Sequence, residues 1–514
     1  MITSRKILPA TIIFILAITL LVGCSFGSTK PTPTLAPTAV QNTSPTATTA
    51  APPSPRRLTV LYTNDEHGWM EGASQGQGAA NMLGLWQEEE GYAPDGPFLI
   101  LSGGDNWTGP AISTWFQGQS MVEVMNAMGY AASSVGNHEF DFGLEVLKRR
   151  ISEAHFPYVS ANLRYQGDNS SPSDLGIQPY VVIDVNSLRV GITGLTTYAT
   201  ATSTNPANIK DFTFMDYEAA LREVVPQMRA LGAEIILVAG HACPEEMVPL
   251  ANMIKDLDIQ FLGAGHCEQA YSKQVGDTAV VTGDSRLAGY GYATFEYDPS
   301  TRSTAVIRYG TRDNKDGVED PAVAEIVTRW RQETDAQLDV QIGYLKKTLP
   351  RAGTTIRTLI VESWLLGYPA ADVAITNPGG IRDDLKSGPV TLADVISVMP
   401  FDNVLIQVEL TGKQITQVLA FASNPVIGGL HQQGSKWILS KTGQPLEAET
   451  TYSVLVNDFM YNGGDGYTLL AKYDPNGYNT AINWRQPVID WIRAQKSTPA
   501  EPLDEAIKGL SQTP

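Results

Sequence analysis

At 514 residues the chain exceeds one ordinary domain, and its 43% hydrophobic, 18% charged and 8% aromatic residues exclude both a wholly disordered chain and a polytopic membrane protein. A formal net charge of −18 argues against nucleic-acid polymers as partners, and an anionic substrate would need local cations, metals or Arg, to draw it in. Three cysteines cannot carry a disulfide framework.

In chain order, Arg5 and Lys6 precede an uncharged, mostly apolar run over residues 7–23, the charged and apolar regions of a secretory signal. The run is short for a spanning helix, and an uncleaved anchor is the alternative. Its ending, Leu21-Val22-Gly23-Cys24, resembles a bacterial lipobox. That resemblance implies a signal peptide over 1–23, lipidation of Cys24 and an extracytoplasmic protein anchored to the cell membrane. Residues 24–57 are rich in Thr and Pro and hold no acidic residue. Such a stretch cannot bury enough apolar surface to offset its ordering entropy, so it reads as a solvated tether, with folded protein expected from Leu58.

Over 58–318 short apolar runs alternate with helical spacing at 79–90, 120–129, 144–153, 217–231 and 245–257. LTVLYTN, PFLILSGGD, AASSVGN, YVSAN, RVGITGL, EIILVAGH and IQFLGAGH read as buried strands, each ending near Gly, Asn, Asp or His. The pattern predicts a layered α/β domain. Residues 319–343 look like a long polar linker helix. A second α/β unit follows over 344–495, with helices at 355–367, 392–398 and 413–421, strands at 373–376, 404–410 and 452–456, and a last element at 484–493. The last residues, 496–514, read as a loose polar tail.

Chemistry concentrates at the strand ends. The chain has six histidines, and most follow predicted strands beside Asp, Asn or Glu. The strings are Asp65-x-His67, Gly104-Asp105, Gly136-Asn137-His138-Glu139, His241, and Gly265-His266-Cys267-Glu268. In an α/β sheet the C-terminal strand ends converge on one edge, so these loops bring carboxylates, imidazoles and an amide together. Mixed N/O donors of that kind suit a divalent pair. A lone strand-end His is more often structural, but the ordered set is harder to dismiss.

That ordered set resembles the calcineurin-like metallophosphoesterases. Carried over by position, the resemblance implies two divalent metal ions, Mn, Zn or similar. Asp65, His67 and Asp105 would hold the first ion, Asp105 bridging, and Asn137, His241 and His266 the second. Glu268 lies where that family usually has His or Gln and would complete the first site. His138, with Asp141 behind it, would steady the transition state or leaving group while a metal-bound water attacks phosphorus in line.

In the second half Asn377-Pro378-Gly379-Gly380-Ile381-Arg382 and Asn462-Gly463-Gly464-Asp465-Gly466 each follow a predicted strand, and plain turn-making accounts for either string alone. With Met399-Pro400-Phe401 and Phe459-Met460-Tyr461 they resemble the C-terminal domain of secreted bacterial 5'-nucleotidases and 2',3'-cyclic phosphodiesterases. That implies Phe401 and Phe459 sandwiching a base, a stack worth about 1–3 kcal/mol. It places Asp465 on the ribose and Arg382 with Asn377 on phosphate, Arg351 and Arg357 being further candidates. The fold class implied is α/β (α+β): a layered β-sandwich metallophosphoesterase domain and a C-terminal α/β nucleotide-binding domain joined by a long helix.

The activity implied is hydrolysis of nucleoside 5'-monophosphates. The alternatives are 2',3'-cyclic nucleotides, UDP-sugars or ADP and ATP on the same catalyst, or a non-catalytic nucleotide-binding surface lipoprotein. A sulfur-compound hydrolase is disfavoured by the two Phe residues. Cys243 and Cys267 stand beside His241 and His266, either as a disulfide bracing those loops or as two free thiols.

Overall fold

A computed structural model describes residues 54–421 and 424–510; the signal, Cys24 and most of the tether lie outside them. The first strand, Arg56–Thr63, starts two residues ahead of the expected Leu58. Arg56 and Arg57 extend the ladder against Tyr297 and Glu296, and Arg57 pairs with Glu296 at 2.9 Å.

The N-terminal half is two sheets face to face. One has seven strands, in the order Ser303–Asp313, Gly289–Asp298, Arg56–Thr63, Phe98–Ser102, Tyr130–Ser134, Tyr158–Val159, Ile177–Gln178. The other has six, in the order Tyr271–Val275, Thr278–Thr282, Phe261–Gly263, Ile235–His241, Leu188–Thr196, Tyr180–Val185. Successive side chains on a strand face opposite ways. Leu58, Val60 and Tyr62 therefore enter the core between the sheets with Val190, Leu237 and Val281. Leu61 and Ile100 pack outward under helices Ala79–Leu85 and Gln119–Met128. The far face of the second sheet lies under helices Tyr217–Ala230 and Pro244–Met253. Burial on both faces is why these strands are nearly continuous apolar runs.

The strands that carry the motifs run parallel. Arg56–Thr63 pairs with Phe98–Ser102, which pairs with Tyr130–Ser134. In the second sheet Ile235–His241 pairs with Leu188–Thr196 and Phe261–Gly263. Parallel pairing puts every motif-bearing C-terminal end on one edge of the sandwich.

The linker helix spans Pro321–Leu338, capped by Asp320, and packs Val323 and Trp330 into the N-terminal core. It ends five residues before the expected 343, because Gln341–Leu345 pairs antiparallel with Gly388–Thr391 and buries Ile342 and Leu345. The C-terminal half is a five-stranded sheet, in the order Val426–Gly428, Val373–Thr376, Thr451–Asn457, Val404–Thr411, Tyr478–Asn483, with a core on each face. The expected loose tail is a correction. Residues Leu503–Leu510 form a helix whose Leu503, Ile507 and Leu510 close the core around Trp364 and Ile492. Their i, i+4, i+7 spacing is an apolar stripe, which holds its shape through tertiary burial although the flanking residues are polar.

Cys243 and Cys267 are joined as a disulfide, Cα–Cα 5.4 Å, across 24 residues. Cross-linking a loop of that length stabilises by about 3 kcal/mol on chain entropy. Replacing both cysteines by Ser is expected to lower stability by roughly that amount, read as an earlier unfolding midpoint in denaturant. An unchanged midpoint would show that the bridge carries no stability.

Candidate active site

Loops leaving the parallel strand ends are bent into the site under strain. Asp65, His67, Asp105, His266 and Glu268 all have positive φ, at 51°, 47°, 60°, 71° and 44°. A non-glycine residue there costs on the order of 1 kcal/mol or more and persists only where its surroundings over-determine it. The surroundings do so here. Asp65 N donates to Gly104 O at 2.9 Å, His67 N to Asp105 O at 2.9 Å and Gly68 N to Asn106 O at 2.7 Å, zipping the first motif to the second. Gly136, of the third motif, is required beside the second, since a Cβ there would lie 2.2 Å from Asp105 Oδ1.

Two acids that the sequence reading passed over hold this platform from below. Glu139 accepts from the backbone N–H groups of Asp105, Asn106 and Gly136 at 2.8, 2.7 and 2.7 Å. Burial, and then the Asp105 carboxylate, push its pKa up to about 8. Glu66 accepts from Thr63, Ser102 and Asn106, and burial raises it to about 7. Both sit inside the motif strings, Asp65-Glu66-His67 and His138-Glu139. An acid directly adjoining a candidate ligand or catalytic histidine was the signal that could have found them.

The histidines are oriented from behind. His67 Nδ1 bonds Thr108 O at 3.0 Å and His241 Nδ1 bonds Gly103 O at 2.9 Å, which turns both Nε2 atoms toward the site. A carbonyl partner on one ring nitrogen, with the other presented for coordination, is the usual support of a metal-ligating imidazole. His241 Nε2 lies 3.1 Å from both Asp105 Oδ2 and Asn137 Oδ1. Burial disfavours the charge on His241, but Asp105 outweighs it and raises the pKa to about 10. Burial, then His241, lower His266 to about 4. His138 Nδ1 meets Asp141 Oδ2 at 2.7 Å, and the Asp141 and Asp105 carboxylates raise its pKa against the pull of burial.

Among the described residues three donor groups have all their ligand atoms within 4.8 Å of one another; one, Cys243, Glu245 and Cys267, is taken up by the disulfide, and the two at the site are His67, Asp105 and His138, and Asp105, His241 and His266. They share Asp105, which suits a bridging carboxylate between two ions. Their oxygen and imidazole donors fit a divalent pair. The first group differs from the expected one in containing His138 and not Asp65. Asp65 lines the same cavity, but its Oδ2 accepts from His266 N at 2.9 Å and Asn64 Nδ2 at 2.7 Å. Glu268 stands on the His67 side, 3.9 Å from Nε2, between Arg286 at 3.7 Å and Arg382 at 3.8 Å. Arg286 was invisible in the sequence, where Ser285-Arg286-Leu287 matches no motif. The remaining histidines, His155 and His431, are exposed and apart from the site.

The opposite wall comes from the C-terminal half. A cavity of about 430 Å³ is lined by Asp65, His67, Asp105, Asn137, His138, Asp141, His266 and Glu268 on one side, and by Asn377, Arg382, Phe401, Phe459 and Asp465 on the other. Its cation is Arg382, whose guanidinium reaches 3.3 Å from His67 Nε2. Phe401 lies over the His138 ring, centroids 5.8 Å apart and planes at 25°. Its backbone is anchored by Trp484, whose Nε1 donates to Phe401 O at 2.7 Å. Asn377 Nδ2 donates to Asp465 at 2.8 Å and its Oδ1 accepts from Asn457 at 3.0 Å, so its amide braces Asp465 at the edge of the cavity. Arg351 bonds the backbone oxygen of Arg382 at 3.4 Å, and neither Arg351 nor Arg357 lines the cavity.

Residues 337–472 match the sequence profile of the 5'-nucleotidase C-terminal domain family. The chain is 26% identical over 520 residues to protein UshA of Yersinia enterocolitica, covering 88% of this chain and 93% of that one. It is 26% identical over 510 residues to a 5'-nucleotidase of Vibrio cholerae, covering 85% and 90%. The crystal structure of a 5'-nucleotidase precursor from Thermus thermophilus superposes with a TM-score of 0.72 at 25% identity, over 86% of this chain and 97% of that one.

Proposed function

We propose that the chain, which is similar to 5'-nucleotidases over most of its length, is a phosphoric ester hydrolase of that type that hydrolyses nucleoside 5'-monophosphates to nucleoside and phosphate outside the cytoplasm, tethered through a lipidated Cys24. The observation that carries the reading is the shared cavity, with a metal donor set on one wall and a cation, aromatic rings and a carboxylate on the other. Among the described residues no helix is long and apolar enough to cross a membrane, so anchoring rests on the sequence before residue 54.

Asp65, His67, Asp105, Asn137, His241, His266 and Glu268 would hold two divalent ions. When bound, such a pair supplies Lewis acidity at the phosphate and lowers the pKa of a water. Arg382 binds the phosphate charge, which offsets an acidic surface that would otherwise repel it. Asp465, held by Asn377, accepts from ribose hydroxyls, and Phe401 and Phe459 take the base. His138, its ring fixed by Asp141, stands where it can donate a proton to the departing 5'-oxygen.

The test is phosphate release from AMP, 2',3'-cyclic AMP and an aryl phosphate, with the protein stripped of metal and then given Mn, Zn, Co or Mg. Metal-dependent turnover of AMP supports the reading. Turnover of only the cyclic or aryl ester would replace the substrate and keep the chemistry. No turnover with any metal, alongside AMP binding, would replace it with a binding lipoprotein. In the same assay Phe401→Ala is expected to raise KM for AMP roughly 5- to 100-fold, the loss of one base stack. A KM within twofold of the parent would remove Phe401 from the base site.

A further inference from the structure

Between the catalytic turn and the C-terminal wall runs a segment, residues 198–209, that neither the donor set nor the nucleotide contacts explain. Its adjacent residues Thr204 (φ −116°, ψ 173°) and Asn205 (φ −62°, ψ 115°) are extended, so their side chains leave on opposite sides. Thr204, 1% exposed, donates from Oγ1 to Asp141 Oδ1 at 3.1 Å, on the same carboxylate whose Oδ2 meets His138 at 2.7 Å. Asn205 faces the other way. Its Nδ2 donates to Asp458 Oδ2 at 3.3 Å, and its Oδ1 accepts from Asn462 Nδ2 at 3.2 Å and from Ala207 N at 3.1 Å. Asp458 and Asn462 flank Phe459. Asn208 Nδ2 donates to Phe140 O at 2.9 Å, fastening the segment to the backbone of the turn that carries His138 and Asp141.

We propose that Thr204 is a positioning residue for the His138–Asp141 pair, and that Thr204 and Asn205 together form a bridge which aligns that pair when the short helix Asp458–Tyr461, with Asn462 at its end, is docked on it. A carboxylate with one partner keeps a broad χ2 torsion. A second hydrogen bond on its other oxygen fixes the plane, and with it the direction in which Oδ2 meets Nδ1. Without the hydroxyl, Asp141 Oδ1 is a buried acceptor with nothing to accept, and the carboxylate turns away from the geometry His138 needs. The bridge also ties the end of the site that would hold the base to the residue that would protonate the leaving group. The inference rests on reading His138 and Asp141 as the catalytic pair.

The test compares Thr204→Val, Thr204→Ser, Asn205→Ala, His138→Ala and Asp141→Asn, using AMP and p-nitrophenyl phosphate on the metal-loaded protein. Thr204→Val is expected to lower kcat roughly 5- to 30-fold with KM unchanged on both substrates, the effect of losing one such hydrogen bond. Thr204→Ser should restore it, and the loss should vanish in an Asp141→Asn background, which a merely structural role would not produce. If the Val variant does not fold, Thr204→Ala serves in its place. Asn205→Ala is expected to reduce kcat/KM more for AMP than for the aryl ester. Full kcat in Thr204→Val with His138→Ala inactive overturns the inference and leaves the pair standing. A loss that persists beside Asp141→Asn also overturns it. Equal losses for Asn205→Ala on both substrates overturn the bridge. Full activity of His138→Ala would instead overturn the reading beneath it.

Discussion

Replacing Asp105 by asparagine is expected to lower phosphate release from AMP by at least about a thousandfold and to strip divalent metal from the purified protein. Asp105 is the one residue shared by both donor groups. Its Oδ2 meets His241 Nε2 at 3.1 Å and its Oδ1 accepts from His138 N at 2.7 Å. His241, then His138, hold its carboxyl well below the usual range although burial works the other way. The group is therefore an anion where cations would sit. An amide preserves the shape and one acceptor but removes the charge, and a divalent ion held there would face buried imidazoles with less to neutralise it. Two-ion assistance is worth several kcal/mol, and each 1.36 kcal/mol is tenfold in rate. Metal content by mass spectrometry and phosphate release are read on the same preparation. A variant that keeps both its ions and a rate within tenfold of the parent would show that Asp105 bridges nothing.

How much of this was legible beforehand depends on where the information sits. The strand ends were readable because strands buried on both faces are continuous apolar runs, so Asp65, Asp105, Asn137, His241 and His266 stand out at their ends. Helices at 144–153 and 392–398 were readable for a related reason, since the apolar stripe of the first and the Thr391 cap of the second are local. Leu503–Leu510 was not, because eight residues in a polar stretch are helical only against Trp364 and Ile492, far away in sequence. The state of Cys243 and Cys267 was open for the same reason, since their separation along the chain says nothing of their 5.4 Å approach.

Residue roles were harder to read than residue positions. Asn377 lines the cavity, and its bond to Asp465 was not readable, because an amide beside a glycine pair carries no sign of which side chain will meet it. Thr204 and Asn205 gave only a local signal, an Asn-Pro helix start. Their contacts run to Asp141 on one side and Asp458 on the other, and both depend on how the two halves come together. Glu66 and Glu139 were hidden by their neighbours, whose metal-ligand spacing absorbed the reading of each string.

His138→Ala is expected to lower kcat for AMP about 10²- to 10⁴-fold, the span of general acid–base catalysis, while metal content stays at the parent value. The second half of that expectation does the discriminating. His138 stands in one of the donor groups with His67 and Asp105, so geometry alone allows it to be a ligand. Its Nδ1 is taken by Asp141, and its ring lies under Phe401 at 5.8 Å, facing the wall where the nucleoside would sit. That placement suits a proton donor to the leaving oxygen. The donor must be the imidazolium, and the Asp141 carboxylate favours that form against burial. Activity is therefore lost as pH rises through the pKa of His138. Removing the charge in Asp141→Asn lowers that pKa, so the alkaline limb of the kcat profile should move to lower pH, whatever cations lie nearby. An alkaline limb that stays in place would detach Asp141 from His138. Loss of one ion together with activity in His138→Ala would make His138 a ligand, and the proton donor would then have to be sought among the other groups lining the cavity.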